Sequence, residues 1–209
     1  MPSKELTFEE LKTAVHILVN VLTQHGIVFG IMGGAGVALL ASYHGQLLRS
    51  TSDIDLVVET DAYSVSQTLI SQHSGLFGKM KGDEEVLVDV EIFDYNTWRV
   101  RPSYDLANPQ NVRISVPLGK ISVTIFEPRW LLQEKIRVQY ERAGSRKETT
   151  DLDDIAFLVK LVPTKSLVFR EQEQIDSLQS LVEKRPELKS KLEEVIDCDQ
   201  IFKISPASR

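Results

Sequence analysis

The segment that most constrains the fold is residues 27–58, where two apolar runs flank a glycine-rich stretch. The first run covers residues 27–32 and stops at residues 33–36, which read Gly-Gly-Ala-Gly. Glycines at such a stop predict a tight turn that leads from a strand into a helix, and residues 37–43 carry a helical apolar pattern. Residues 53–58 form the second run and predict another strand. The predicted order is therefore strand, glycine turn, helix and strand, as in α/β proteins.

Two aspartates, Asp53 and Asp55, stand at the head of the second strand. Residues two apart in a strand point to the same side, so the two carboxylates are predicted to be neighbours. Like charges repel, and burying a carboxylate without a partner costs several kcal/mol. A divalent cation or a strong hydrogen-bond donor between them removes this cost, and hard oxygen ligands favour magnesium with substrate phosphates as further ligands. The alternative is a polar strand edge whose carboxylates are solvated.

Gly33 and Gly34 leave their backbone N–H groups uncovered at the start of the predicted helix. Such amides, with the positive end of a helix behind them, form a binding site for an anionic phosphate. A phosphate site followed by a metal-binding strand predicts that the protein binds a nucleoside triphosphate. The alternative is a tight turn with close packing and no ligand.

Residues 34–36, with Asp55 downstream, also suggest a rival of another class, the dinucleotide-binding βαβ fingerprint. Three features count against this rival. Leu39 replaces the third glycine, the acidic position is a pair at the start of its strand, and no second parallel βαβ half follows. The sequence therefore favours triphosphate binding over dinucleotide binding.

The stretch from Gly33 through Arg49, Ser52, Asp53 and Asp55 resembles the signature of the polymerase-beta-like nucleotidyltransferase superfamily. In that superfamily a Gly-Gly or Gly-Ser turn precedes a strand with the pattern hydrophobic-Asp-hydrophobic-Asp. The stretch is most similar to two branches, the abortive-infection toxin and the aminoglycoside nucleotidyltransferases, in which an arginine commonly stands shortly before the aspartate pair.

The resemblance implies a magnesium- or manganese-dependent enzyme that moves a nucleoside monophosphate from a nucleoside triphosphate to a hydroxyl acceptor on RNA, tRNA, a protein or a small molecule. It implies that Asp53 and Asp55 bind the metal ions. The third carboxylate would come from Asp89 or Glu91, on a predicted strand at residues 86–93. These two share a face of that strand, so position alone does not decide between them. The alternative is a catalytically inactive protein of this fold that binds nucleotide or a protein partner.

The nucleotide contacts that the resemblance implies come from Gly33, Gly34, Arg49, Ser52, Lys135 and Asp154. A lysine and an aspartate on consecutive helices recur in the toxin-like branch, and Asp151 fits the second position nearly as well as Asp154. Lys135 falls beside the apolar positions of its helix, so its alternative role is to cover Leu131 with its stem while its amine reaches solvent. The arginine and the serine before the aspartate pair are alternatively a polar loop without a ligand.

Local signals divide the rest of the chain into further strands and helices. A capping box at residues 7–10 opens the first helix. Residues 112–116 and 121–126 predict a hairpin around the turn at residues 117–119. From Pro128 onward the pattern is helical to the end of the chain.

The predicted fold class is therefore α/β (α+β), with a nucleotidyltransferase-like mixed sheet flanked by helices and followed by a C-terminal helical lobe. We expect the α/β core to cover residues 1–127, the helical lobe to cover residues 128–204, and residues 205–209 to form a tail.

Composition narrows the class of protein and its partners. Of the 209 residues, 42% are hydrophobic and 26% are charged, as in an ordinary globular protein, and no apolar run is long enough to cross a membrane. The single cysteine, Cys198, excludes a disulfide framework and predicts a cytoplasmic protein. The net charge of −6 argues against a protein that coats DNA or other nucleic acid. The histidines (His16, His25, His44 and His73) show no zinc-ligand spacing, which disfavours zinc chemistry.

Overall fold

The computed structural model describes residues 5–46, 51–73, 88–94 and 104–202. The chain divides into two compact units, Met1–Glu127 and Pro128–Arg209. The first unit is built on a five-stranded sheet, and the second is mostly helical with a two-stranded sheet. Among the described residues, none of the helices combines the length and the apolar character that a membrane span needs.

The first unit is a mixed sheet flanked by helices. Its elements are α1 (Phe8–Gln24), β1 (Phe29–Met32), α2 (Gly33–Tyr43), β2 (Asp53–Val58), α3 (Ala62–Gln72), β3 (Asp89–Asp94), β4 (Arg113–Leu118) and β5 (Ile121–Phe126). The strand order is β3-β2-β1-β5-β4. The β2–β3 and β1–β5 pairs are parallel, and the β1–β2 and β4–β5 pairs are antiparallel. The predicted α/β class with a mixed sheet is confirmed.

The first helix, α1, begins at the predicted capping box. The Thr7 hydroxyl accepts a hydrogen bond from the Glu10 backbone N–H (3.2 Å), and the Glu10 carboxylate accepts one from the Thr7 N–H (2.6 Å). Val15 and Leu22 on its inner face are fully buried. The helix ends shortly before Gly26, whose φ of +62° suits glycine at the end of a helix.

The junction between β1 and α2 is tighter than the sequence predicts. The apolar pattern places the start of the helix at residue 37, but α2 begins at Gly33 itself. Gly33 has a φ of +62°, so this one residue turns the chain from the strand into the helix. Residues 35–41 are all buried. A helix that is buried on every side has no amphipathic period to mark its start, which explains the late prediction.

The predicted hairpin is formed by β4 and β5, and its strands extend further toward the turn than expected. Pro117 and Leu118 lie in β4, where Pro117 pairs with Ser122. Gly119 lies in the turn with a φ of +63°. A proline is tolerated in β4 because this strand lies at the edge of the sheet and has a partner strand on one side only.

The second unit is mostly helical. Its elements are α4 (Pro128–Glu141), α5 (Arg146–Leu158), β6 (Leu167–Val168), α6 (Gln172–Lys184), a 3-10 helix (Pro186–Leu188), α7 (Lys189–Val195), β7 (Ile196–Asp197) and α8 (Asp199–Phe202). The expectation of helix throughout was wrong at β6 and β7, which pair in parallel. Strands of two residues are too short to show an alternating pattern, so their residues read as parts of the neighbouring helices.

Candidate active site

Four carboxylates lie on one face of two neighbouring strands, β2 and β3. The parallel register pairs Asp53 with Asp89 and Asp55 with Glu91. Side chains alternate along a strand, so these four share a face, while Ile54 between them points to the opposite face and is fully buried. Asp53 and Asp55 are half-buried, and Asp89 and Glu91 are exposed. The four acidic residues proposed from the sequence are therefore neighbours in the fold.

Two alternative interpretations of the aspartate pair are wrong. β2 is not a solvated strand edge, because it lies between β1 and β3. The segment is not a dinucleotide-binding βαβ unit either, because β1 and β2 are antiparallel, with Met32 opposite Asp55. A βαβ unit requires two parallel strands.

Gly33 lies directly against the carboxylate of Asp55. A Cβ atom added to Gly33 would overlap Oδ2 of Asp55 and would lie 2.7 Å from its Cγ. The φ of +62° at Gly33 is also unfavourable for any residue with a side chain. Both the backbone conformation and the space beside Asp55 therefore require glycine at this position.

We expect Gly33→Ala to destabilise the protein and to displace the Asp55 carboxylate. A side chain at this φ costs about 1–2 kcal/mol, and the overlap with a packed neighbour adds about 1–3 kcal/mol. Gly26→Ala is the matched control, since Gly26 has the same φ of +62° but an added Cβ meets open space among the described residues. Chemical denaturation measures both variants. If Gly33→Ala and Gly26→Ala lower the stability equally, the close approach of Asp55 adds nothing to the cost of a side chain at Gly33.

Thr51 is a site residue to which the sequence analysis gave no role. Its Oγ1 donates toward Asp53, at 3.0 Å from the carboxylate Oδ1 and 3.2 Å from the backbone oxygen. Thr51 is 4% exposed, and its carbonyl accepts a hydrogen bond from the Leu6 N–H (2.8 Å). A threonine two residues before an aspartate is a weak signal for such a local bond. Ser52 is half-buried, and Arg49 lies outside the described residues.

Comparison with solved structures identifies the family. A crystal structure of an antigenic nucleotidyltransferase-like protein from Paracoccidioides brasiliensis is 36% identical in sequence and superposes with a TM-score of 0.81. The match covers 96% of this chain and 100% of that one. The chain belongs to the nucleotidyltransferase-like protein family. The resemblance found at Gly33, Asp53 and Asp55 is thus confirmed for the family as a whole.

A second solved structure shares the fold of this nucleotidyltransferase-like protein. The solution structure of the antibiotic-resistance factor ANT(2'')-Ia superposes with a TM-score of 0.53 at 11% sequence identity, over 88% of this chain and 97% of that one. At this identity the likeness concerns the fold alone. No protein-family model matches the sequence. No curated protein gives a significant match.

The face of β2 and β3 that carries Asp53, Asp55, Asp89 and Glu91, here called the acidic face, offers hard oxygen donors of the kind that magnesium prefers. Within the described part of the chain, no three His, Cys, Asp or Glu side chains are grouped as a metal site. Magnesium, however, commonly takes only one or two protein carboxylates and completes its shell with water and substrate phosphates. The pair Asp53 and Asp55, beside the exposed Asp89 and Glu91, fits an ion of that type.

In the second unit, Lys135 on α4 is buried with two aspartates of α5. Its Nζ lies 2.6 Å from Oδ1 of Asp151 and 2.7 Å from Oδ2 of Asp154. Arg142 contacts the other oxygen of Asp151 at 3.3 Å. The side chains of Lys135 and both aspartates are at most 7% exposed. The formal charges of these four groups balance, as burial of ionised groups requires.

The alternative in which the Lys135 amine reaches solvent is wrong, since the residue is 6% exposed. Asp151 and Asp154 are three residues apart on α5, so both lie on the same side of that helix. Both candidates for the aspartate partner contact the lysine. A role of Lys135 and Asp154 in nucleotide binding stays a prediction.

Proposed function

We propose that the protein is a magnesium-dependent nucleotidyltransferase that moves a nucleoside monophosphate from a nucleoside triphosphate to a hydroxyl acceptor. The observation that carries this proposal is the pairing of Asp53 with Asp89 and of Asp55 with Glu91 on one face of β2 and β3. Carboxylates held side by side repel one another unless a cation lies between them. Membership of the nucleotidyltransferase-like family supports the same reaction.

In this proposal Asp53 and Asp55 bind Mg²⁺ or Mn²⁺, and Asp89 or Glu91 supplies a third carboxylate. When bound, the metal ion neutralises phosphate charge and stabilises the attacking and leaving oxygens of an in-line displacement. The Thr51 hydroxyl fixes the direction of the Asp53 carboxylate, and the glycine at the start of α2 leaves room for that of Asp55. These contacts orient the acids before a substrate binds.

We propose that the triphosphate binds at the start of α2, through the backbone N–H groups of Gly33 and Gly34. The N-cap residue of this helix, Met32, makes no side-chain capping hydrogen bond. The backbone N–H groups in the first turn of a helix and the positive end of its dipole both attract an anionic phosphate. Arg49 and Ser52 are further nucleotide contacts in this proposal.

The acceptor in this reaction presents a nucleophilic hydroxyl on RNA, tRNA, a protein or a small molecule. The net charge of −6 opposes long-range attraction of an extended nucleic acid. We therefore expect a small acceptor, or one that docks locally.

Transfer of radiolabel tests the reaction and identifies the acceptor. The purified protein is incubated with Mg²⁺, a cell extract and each α-³²P-labelled nucleoside triphosphate in turn, and RNA, protein and small-molecule fractions are then separated. We expect label in one of these fractions, and none when EDTA replaces Mg²⁺. If every fraction stays unlabelled while calorimetry shows Mg²⁺-dependent triphosphate binding, the chain is instead an inactive member of the fold that binds nucleotide.

A further inference from the structure

The segment ahead of α1 reaches the start of β2 and pairs with the chain there. Residues 5–7 of this segment are here called the N-terminal arm. Leu6 and Thr51 form an isolated antiparallel bridge, in which the Leu6 N–H donates a hydrogen bond to the Thr51 carbonyl at 2.8 Å. This bridge lies just before β2, which begins at Asp53. Two segments that are distant in the sequence are therefore joined beside the first carboxylate of the acidic face.

The position of the N-terminal arm is determined by contacts other than this bridge. The Leu6 side chain is 1% exposed, so it belongs to the hydrophobic core. The next residue, Thr7, is the N-cap of α1 and exchanges hydrogen bonds with Glu10 in the capping box. Burial of an apolar side chain and helix capping each stabilise the local conformation. The arm is therefore a fixed partner on which Thr51 is held.

Thr51 transmits this restraint to Asp53. Its hydroxyl lies within hydrogen-bonding distance of two oxygen atoms of Asp53, the carboxylate Oδ1 at 3.0 Å and the backbone oxygen at 3.2 Å. Thr51 is buried, and as a β-branched residue it has restricted rotation about χ1. Hydrogen-bond partners of a metal-binding carboxylate orient it and thereby tune its affinity for the ion. The arm, Thr51 and Asp53 therefore form one continuous series of contacts.

We propose that the N-terminal arm sets the affinity of the acidic face for its metal ion, with Leu6 and Thr51 as positioning residues that act through Asp53. This inference rests on the proposed function, in which Asp53 binds that ion. When only a fraction of the molecules hold the carboxylate in the binding geometry, the apparent affinity falls by that fraction. Loosening the arm therefore raises the metal concentration needed for the half-maximal rate, whereas the rate at saturating metal is retained.

The coupling between the arm and the ion is reciprocal. An ion that binds more tightly when the arm is docked also favours the docked arrangement, by the same factor. The Leu6 N–H donates across the bridge, so its exchange with solvent reports whether the arm is docked. We expect saturating Mg²⁺ to slow hydrogen exchange at the Leu6 amide, measured by NMR. Unchanged exchange at this amide would contradict the proposal.

Titration of Mn²⁺ into the full-length chain, followed by electron paramagnetic resonance, measures the metal affinity without requiring transfer. Thr51→Val keeps the shape of the side chain but removes the hydroxyl, and we expect it to weaken Mn²⁺ binding by about tenfold or more. Thr51→Ser retains a hydroxyl and is expected to restore most of the affinity. Leu6→Ala loosens the arm but leaves the hydroxyl in place, and we expect binding to weaken by about threefold to tenfold.

Leu11→Ala is the matched control for Leu6→Ala, because Leu11 is 2% exposed but lies on α1, outside the bridge. Both variants are expected to lower the midpoint of denaturation, and only Leu6→Ala is expected to weaken Mn²⁺ binding. If Leu6→Ala and Thr51→Val bind Mn²⁺ as tightly as the wild type, this inference fails and the proposed function stands. If the wild type itself binds no Mn²⁺, both fail, so the two failures are distinguishable.

Discussion

Replacing both Asp53 and Asp55 with asparagine is expected to lower the rate of nucleotidyl transfer by at least about a thousandfold. A bound metal ion contributes several kcal/mol to the transition state, and each loss of about 1.4 kcal/mol is tenfold in rate. The fold is expected to persist, because asparagine has the shape of aspartate and both positions are only half-buried. Label transfer measures the rate, and calorimetry with and without Mg²⁺ measures triphosphate binding.

Glu59→Gln is the control for this variant, because Glu59 is exposed and directly follows the other end of β2. It removes a charge near the same strand and is expected to leave the rate unchanged. Single variants Asp89→Asn and Glu91→Gln then identify the third carboxylate, whose loss is expected to cost about a hundredfold or more. Wild-type transfer by the Asp53 and Asp55 double variant would contradict the proposed function.

The variant Lys135→Met is expected to lower the free energy of unfolding by about 3–5 kcal/mol. The substitution keeps most of the length of the side chain but removes the ammonium from Asp151 and Asp154, at 2.6 and 2.7 Å. Both carboxylates are at most 3% exposed, so water cannot replace the lost charge without opening the structure. Denaturation followed by circular dichroism measures the change.

The exposed pair Lys191 and Glu194, both on α7, provides the matched comparison. Their side chains are 56% and 50% exposed and lie 2.7 Å apart, so Lys191→Met is expected to cost less than about 1 kcal/mol. Replacing Lys135, Asp151 and Asp154 together by apolar residues is expected to recover part of the loss, because no buried charge of this cluster then remains and the exposed Arg142, which loses Asp151, is solvated by water. Similar small losses for both lysine variants would show that burial does not strengthen the Lys135 contacts.

Elements with a local signal were predicted from the sequence. The capping box of α1, the β2 pattern of Asp53 and Asp55, and the β4–β5 hairpin each depend on residues close in the chain. Asp89 and Glu91 have the same spacing as Asp53 and Asp55, and this spacing indicated the strand that is β3 in the structure. The predicted start of α2 lay too far along the chain. The turn into the helix depends on the positive φ of Gly33, and a periodic pattern of apolar residues does not reveal a backbone angle.

Contacts between distant segments had no such signal. The bridge from Leu6 to Thr51 fixes a threonine that looks like part of a polar loop. His25 and His73 are 48 residues apart, and only the arrangement of α1 and α3 brings them together. The burial of Lys135 likewise depends on packing between α4 and α5, since a lysine beside an apolar stripe more often extends to solvent.

The close approach of Gly33 to Asp55 offers a way to distinguish working enzymes from pseudoenzymes among the relatives of this chain. Counting acidic residues would classify as active any relative that retains all four. A relative with a larger residue in place of this glycine has no room for the carboxylate in its present position. We therefore expect the residue at this one position to sort competent from incompetent members even where the acids are intact.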